Sequence, residues 1–358
     1  MRWLLPLALP SWVKAAVAVM LLVASQYHFW SKLSSGSVFA PEFPRPLIIL
    51  FNWASGATLF LAALQILLDL GSLATMLAVQ HVARLPDAVR YAVAGLAGLV
   101  AAIGVAGAVR VPPLKDVEIA IANLPAQFDG YRLLQLTDLH ISRLFPAKWV
   151  RALVDRANTL ASDLIVVTGD FIDGSVAMRR SAVEPLRDLH APDGVYAIPG
   201  NHEYFFDYPE WMDHLAGMGF RMLPNAHAVL EHDGAHLVLA GVTDLSASNF
   251  GQAGPDLATA LIGAPANVPI VLLDHQPKQA TRAATRGIAL QLSGHTHGGM
   301  IRGLDRLVAR ANGGFVSGLY EVAGMMLYVN NGTALWPGFA LRIRRPSELT
   351  RITLRRSP

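Results

Sequence analysis

The sequence predicts a chain in two parts: transmembrane helices over residues 1–110, then a layered α/β domain. Three observations carry this. Long stretches before residue 110 hold no charge. After residue 115, short apolar runs alternate with amphipathic helical patterns. Five of the six clearest runs also finish in Asp, His or Asn, side chains that do chemistry rather than fill a core. Apolar residues make up 53% and charged residues 15%, against about 25% charged in a typical soluble domain, which excludes intrinsic disorder. With no cysteine among 358 residues, a disulfide scaffold, a Cys-type zinc site, an iron–sulfur cluster and a Cys nucleophile are all excluded.

The N-terminal region is justified span by span. Pro46 to Leu68 runs 23 residues without a charge; as a helix it measures about 35 Å and crosses a hydrocarbon core of about 30 Å. Tyr91 to Val109 is a second uncharged run, flanked by Arg90 and Arg110 and rich in the small residues that let membrane helices pack closely. A third span runs from about Trp12 to Trp30, with Lys14 able to snorkel. The apolar stretch Leu70–Gln80 is too short alone and extends the second span past Asp69. A buried helical core is the competing reading, and runs this long are rare in soluble domains. A cleavable signal peptide over residues 1–25 would leave the two later spans as an anchor. Arg2, Lys14, Arg84 and Arg90 on one side balance Lys32, Arg45, Arg110 and Lys115 on the other, so positive charge does not orient the chain.

Charge divides at the same place. Residues 1–110 carry a net charge of +4 and the remainder −1, so the second part offers no basic field for nucleic acid. Residues 111–130, with Pro112, Pro113 and Pro125, read as a juncture and first strand, and residues 131–358 as the α/β domain. Its strand cores are YRLLQLTDLH (131–140), DLIVVTGD (163–170), GVYAIPGNHE (194–203), HLVLAGVTD (236–244), PIVLLDHQP (269–277) and IALQLSGHTH (288–297). Helical patterns occupy Trp149–Leu160, Ala182–Leu189, Trp211–Gly217 and Pro277–Thr285. Such alternation predicts sheets covered by helices.

The strand ends hold Asp138 and His140, Asp170, Asn201 with His202 and Glu203, Asp274 with His275, and His295 with His297. Ligands of open α/β sheets gather at the carboxyl ends of strands. Carboxylate and amide oxygens mixed with imidazoles suit first-row divalent metals such as Mn, Fe or Zn. Two such ions can bind a phosphate and stabilise an in-line displacement. Singly, each motif has a plain structural reading: Gly169-Asp170 is a common turn, and a lone His275 is usually a hydrogen-bonded core histidine. Two histidines at i, i+2 in GHTH are costly to bury without a cation. HExxH, a P-loop, GxSxG and a dinucleotide glycine motif are all missing from the sequence.

In that order, D-x-H, GD, GNHE, a lone His and GHTH resemble the calcineurin-like metallophosphoesterases over about residues 115–358. Within them, GNHEY, HQP, GHTHGG and PSELTRITLR are similar to bacterial membrane-associated phosphoesterases with an N-terminal hydrophobic region. The resemblance implies a four-layer helix–sheet–sheet–helix domain holding two divalent ions. By it Asp138, His140 and His297 bind one ion, Asn201, His275 and His295 bind the other, and Asp170 bridges both. It also implies attack by a metal-bridging hydroxide without a phosphoenzyme, and a His202 that is no ligand but stabilises the transition state or protonates the leaving oxygen. Met300, where relatives often carry Gln, departs from the pattern and bears only on pocket shape.

Several readings complete the expectation. Asp173 and Glu203 are read as supporting or loop groups. His190, His214, His227, His232 and His236 are read as surface residues. The aromatic cluster Tyr204, Phe205, Phe206, Tyr208 and Trp211 packs a helix start or forms an apolar rim for a lipid tail. The arginines at 342, 344, 345, 351, 355 and 356 line solvated strand faces or meet anionic headgroups. The expectation as a whole is a membrane-anchored dinuclear-metal phosphoesterase of the cell membrane (the bacterial inner membrane), hydrolysing phosphodiester or pyrophosphate bonds of a phosphorylated small molecule or lipid. UDP-diacylglucosamine, a substrate of some relatives, is one specific case. Resemblance to exported relatives favours an extracytoplasmic domain, whereas a nucleotide-lipid substrate favours the cytoplasmic side. The alternative is a catalytically silent membrane sensor or scaffold on the same fold, against which the intact ligand set stands.

Overall fold

A computed structural model describes residues 2–80 and 85–357; Arg84, counted in the charge balance above, lies outside them. The chain folds as two units, one comprising Met1–Ala108 with Pro337–Leu341 and the other Val109–Trp336 with Arg342–Pro358.

In the first unit, α1 (Ser11–Ser25) and α2 (Tyr27–Ser35) are joined at Gln26 with a bend of 56°. Helix α3 runs from Arg45 to Val79 and α4 from Asp87 to Ala108. The apolar run at 46–68 lies inside α3, which continues past Asp69 for a length of about 52 Å. Asp69 is paired with Arg2 at 3.3 Å. These helices are not a buried core. In their most apolar windows 17% of α3 and 28% of α4 is buried, and Trp12, Leu22, Leu67, Leu77 and Ile103 stand exposed. Helices apolar on their exposed faces are those of a membrane-associated protein, since water would tolerate so large a patch poorly. Among the described residues two helices are long and apolar enough to cross a bilayer, or three spans if the bent pair is one.

The same unit takes in Pro337–Leu341, a segment far away in sequence. Tyr27 Oη and Asn52 Nδ2 both donate to the Pro337 carbonyl, at 3.0 and 2.9 Å, and Ala340 N donates to Asn52 Oδ1 at 2.6 Å. Asn52 is buried within an otherwise apolar helix, so its bonds have no water to replace them. Replacing it by leucine leaves Ala340 N orphaned and weakens the hold on Pro337. Asn52→Leu is expected to destabilise the detergent-purified protein by about 1–3 kcal/mol, read as a lower thermal midpoint with unchanged metal content.

Among the described residues the second unit has twelve strands in two six-stranded sheets. They are β1 (Leu114–Ile121), β2 (Arg132–Leu136), β3 (Leu164–Thr168), β4 (Val195–Ile198), β5 (Arg221–Met222) and β6 (Ala226–His232). There follow β7 (Ala235–Gly241), β8 (Ile270–Leu273), β9 (Leu290–Ser293), β10 (Gly318–Val322), β11 (Met325–Val329) and β12 (Leu349–Arg356). One sheet has the order β1-β12-β2-β3-β4-β5 and the other β10-β11-β9-β8-β7-β6. Their facing sides share one core, with Leu133, Val166 and Ile198 of the first sheet in the same cluster as Leu239, Val271 and Leu292 of the second. Strands β3 and β8 read as unbroken apolar runs because both faces of each sheet are covered.

The helices here are α5 (Ala147–Asn158), α6 (Val176–Val183), α7 (Asn201–Phe205), α8 (Tyr208–Gly217), α9 (Leu257–Ala260), α10 (Ala280–Ala284) and α11 (Asp305–Ala311). Residues of α9 and α10 cover the outer face of the second sheet, while α5 turns Val150, Leu153 and Val154 inward. Helix α6 lies earlier than the expected Ala182–Leu189. Pro185 has no N–H to continue an α-helix, so the chain tightens into a 3₁₀ turn over Glu184–Asp188. What positions the site is the parallel alignment of β2, β3 and β4, and of β8 with β9. All five carboxyl ends then open at one rim of the sandwich.

Candidate metal centre

Three of the loops leaving those strands, after β2, β3 and β9, bend sharply. Asp138, His140, Asp170, His295 and His297 all have positive φ, between 42° and 67°. Non-glycine residues pay about 1–3 kcal/mol for such a conformation unless the surroundings impose it. Five in one place mark loops shaped for a task other than stability. Gly200 serves the same close packing, because a Cβ there would strike the Asp170 carboxylate and lie 2.5 Å from Asp170 N. Gly200→Ala is therefore expected to cost about 1–3 kcal/mol and to lower metal content, measured by thermal unfolding and elemental analysis of the purified protein.

Seven of the eight residues singled out from the sequence are buried, with His295 half-buried, and they form two adjoining groups. In the first, His140 Nε2 lies 3.3 Å from His297 Nε2 and 3.9 Å from Asp138 Oδ1, and His297 Nε2 lies 3.6 Å from Asp138 Oδ1. In the second, Asn201 Oδ1 lies 3.1 Å from His275 Nε2 and 2.9 Å from His295 Nδ1. Asp170 Oδ2 stands between the groups, 3.7 Å from His140 Nε2 and 3.3 Å from His275 Nε2. Ligand atoms of Asp138, His140 and His297, of Asp138, Asp170 and His275, and of His140, Asp170 and His202 fall within 4.8 Å of one another.

The tautomers are set from behind. The Thr168 carbonyl can only accept, so His275 Nδ1, 2.7 Å away, carries the proton and Nε2 faces the site. Asp173 takes the corresponding place for His140 and His202: its oxygens lie 3.2 Å from His140 Nδ1 and 2.5 Å from His202 Nδ1. Burial works against the charge on Asp173, but the two imidazoles outweigh it and hold its pKa below the usual range. Burial likewise opposes charge on His202, yet Asp170 and Asp173 push its pKa up to about 9. His295 goes the other way: burial, reinforced by His275, drives its pKa down to about 3, leaving a neutral imidazole. Burial disfavours ionised Asp170, yet His275 and His202 keep it well below the carboxylate range.

This donor set fits divalent cations. Buried carboxylates, one amide oxygen and imidazoles supply hard and borderline ligands; burial holds the pKa of His295 and His297 down, whereas for His275 the Asp170 carboxylate outweighs burial and holds it well above the usual range. His140 Nε2 and His297 Nε2 face each other at 3.3 Å, and His297 Nδ1, buried, has no partner among the described residues. Such an arrangement fits a pair of divalent cations.

Sequence reasoning left three supports open or misplaced. Glu203 is fully buried and accepts from Gly200 N at 2.6 Å, Phe171 N at 2.7 Å and Asp170 N at 3.1 Å, tying two strand-end loops together. Its place at the third position of α7, just after a glycine, was the available signal. Asp173 could be found from its spacing three residues beyond Asp170. Arg342 gave no signal inside its run of arginines, and the reading of it as a solvated residue is corrected. It is buried, donating to the carbonyls of His297 at 2.9 Å, Asn331 at 2.6 Å and Ala334 at 2.9 Å, so it braces the loop that carries His297. Arg345 pairs with Asp305, Arg351 with Asp116 and Arg355 with Glu118.

The remaining candidates lie apart. His190 and His236 are exposed, and His214, His227 and His232 are half-buried outside the cluster. The aromatic run divides: Trp211 and Tyr204 are buried in packing, with Tyr204 stacked on Tyr208, whereas half-buried Phe205 sits 5.0 Å from the His202 ring and 5.7 Å from Phe250.

Fold and site together define a metallohydrolase of the two-sheet α/β type. The family model for calcineurin-like phosphoesterases matches residues 131–299. A metallophosphoesterase of Bacillus subtilis, YkuE, is 31% identical over 239 residues, 65% of this chain and 82% of its own. The chain belongs to the calcineurin-like phosphoesterases. A transmembrane protein with metallophosphoesterase domain from Danio rerio is 36% identical over 271 residues, 73% of this chain. The aligned part spans 62% of that relative's length and 60% of its Bos taurus counterpart's. Among solved structures, the sulfate thiohydrolase SoxB of Thermus thermophilus is similar at a TM-score of 0.41 and 15% identity, covering 60% of this chain and 55% of that one.

Proposed function

We propose that this protein is a membrane-anchored phosphoesterase that hydrolyses phosphodiester or pyrophosphate bonds of a lipid or lipid-derived substrate. The observation that carries the reading is the Asp170 carboxylate lying between two buried donor groups. Asp138, His140 and His297 would hold one divalent ion, Asn201, His275 and His295 a second, and Asp170 both. When bound, such ions polarise phosphoryl oxygens and lower the pKa of water. The protein's own groups do the rest. Asp173 orients His140 and keeps a proton on His202, whose Nε2 stands 3.9 Å from Asp170 Oδ2. A protonated His202 at the rim is suited to giving that proton to the departing alkoxide or phosphate. The apolar helices support a substrate drawn from the bilayer, and Phe205 beside His202 would meet its apolar part.

The test is hydrolysis by detergent-purified protein, stripped of metal and then given Mn²⁺. A chromogenic diester, a chromogenic monoester and UDP-diacylglucosamine serve as substrates. The diester or the lipid pyrophosphate should turn over only with metal restored. Preference for the monoester would overturn the bond class, and two bound ions without turnover on any substrate would leave a binding protein.

A further inference from the structure

The loop that carries His297 continues into a surface that none of the chemistry above uses. From Arg302 to Arg310 the chain exposes three arginines (302, 306 and 310) and two leucines, Leu304 at 47% and Leu307 at 60%. On α11, Arg306, Leu307 and Arg310 fall within one outward arc of the helix, at 100° per residue. No ion pair or side-chain hydrogen bond engages Arg302, Arg306 or Arg310 among the described residues. The only acid between residues 298 and 320 is Asp305, which is buried and paired with Arg345. Arg344, also exposed, joins the same face through the bridge between Ile301 and Ile343. It follows by three residues the segment Pro337–Leu341, which folds with the apolar helices.

The geometry points to a docking face for an anionic lipid surface, formed by Arg302, Leu304, Arg306, Leu307, Arg310 and Arg344. Unpaired arginines interleaved with exposed leucines are what an interfacial segment presents to headgroups and the acyl boundary beneath them. An acidic protein or nucleic acid would use the charges but leave the leucines in water. The face holds the His297 loop at the headgroup level, where a lipid phosphate is found. The inference rests on membrane association and not on the proposed reaction.

The chain lacks cysteine, so a single Leu307→Cys carries an environment-sensitive fluorophore without side labelling. Full-length protein is placed in nanodiscs of phosphatidylcholine, or of phosphatidylcholine with about one-third phosphatidylglycerol. In the anionic discs at low salt the probe should shift to the blue, and high salt should reverse the shift. A probe at Ile262, 74% exposed elsewhere on the domain, should not respond. Each arginine exchanged for glutamine should lower the docked fraction about fivefold, and the triple variant Arg302→Gln, Arg306→Gln, Arg310→Gln should abolish it with metal content retained. Equal emission in both discs, as a face for an acidic protein would give, overturns the proposal. So does a shift that survives the triple substitution.

Discussion

Asp170→Asn is expected to lower kcat on a phosphodiester by more than about a thousandfold, the scale on which loss of one preorganised electrostatic group is felt. It should also drop bound metal from two ions towards one. The two effects belong together because this carboxylate lies within 4 Å of both His140 and His275. The change keeps the volume and lets the amide retain the acceptor for His202 N at 2.9 Å. Folding should therefore survive, and elemental analysis beside the rate separates a lost ion from a lost fold. A variant that keeps two ions and wild-type turnover would remove Asp170 from the centre of the mechanism.

His202→Asn should act differently. Its ring hydrogen-bonds Asp173 and leans on Asp170, but it completes neither of the two proposed ligand groups. Two bound ions should remain while kcat falls about 10²–10⁴-fold, the usual worth of a positioned acid. The loss should shrink for a nitrophenyl leaving group, which departs without a proton, and be greatest for an alkyl one. A uniform loss across leaving groups would assign His202 to charge stabilisation instead.

The fold class and the gathering of the candidate residues were legible in the sequence, whereas individual strand partners and supports were not, for physical reasons. Asp138, His140, Asp170, Asn201, His275, His295 and His297 stand at the ends of apolar runs, where a buried strand has no structural use for them. Their convergence needs only that β2, β3 and β4 run parallel in one sheet and β8 and β9 in the other. Strand β12 was invisible as a partner of β1 and β2. It lies more than 200 residues from either, and its alternating arginines read as a solvated face whichever strand it joins. Arg342 misled because burial of an arginine is decided by carbonyls that only the folded loops bring to it. Asn52 gave no signal in the sequence, because its partners lie almost 290 residues on.

That long-range closure fixes an order of assembly during synthesis. Chains fold broadly from the N-terminus as they leave the ribosome, and α1 to α4 emerge before any strand of the catalytic unit. Yet the helical unit is complete only once residue 341 has been made, after the whole of Val109–Trp336. In the interval Tyr27 Oη and Asn52 Oδ1 are without their partners from Pro337–Leu341, and Asn52 Nδ2 keeps the Ile48 carbonyl alone. The helical unit thus waits for Pro337–Leu341, which are translated after β1 to β11 and before β12.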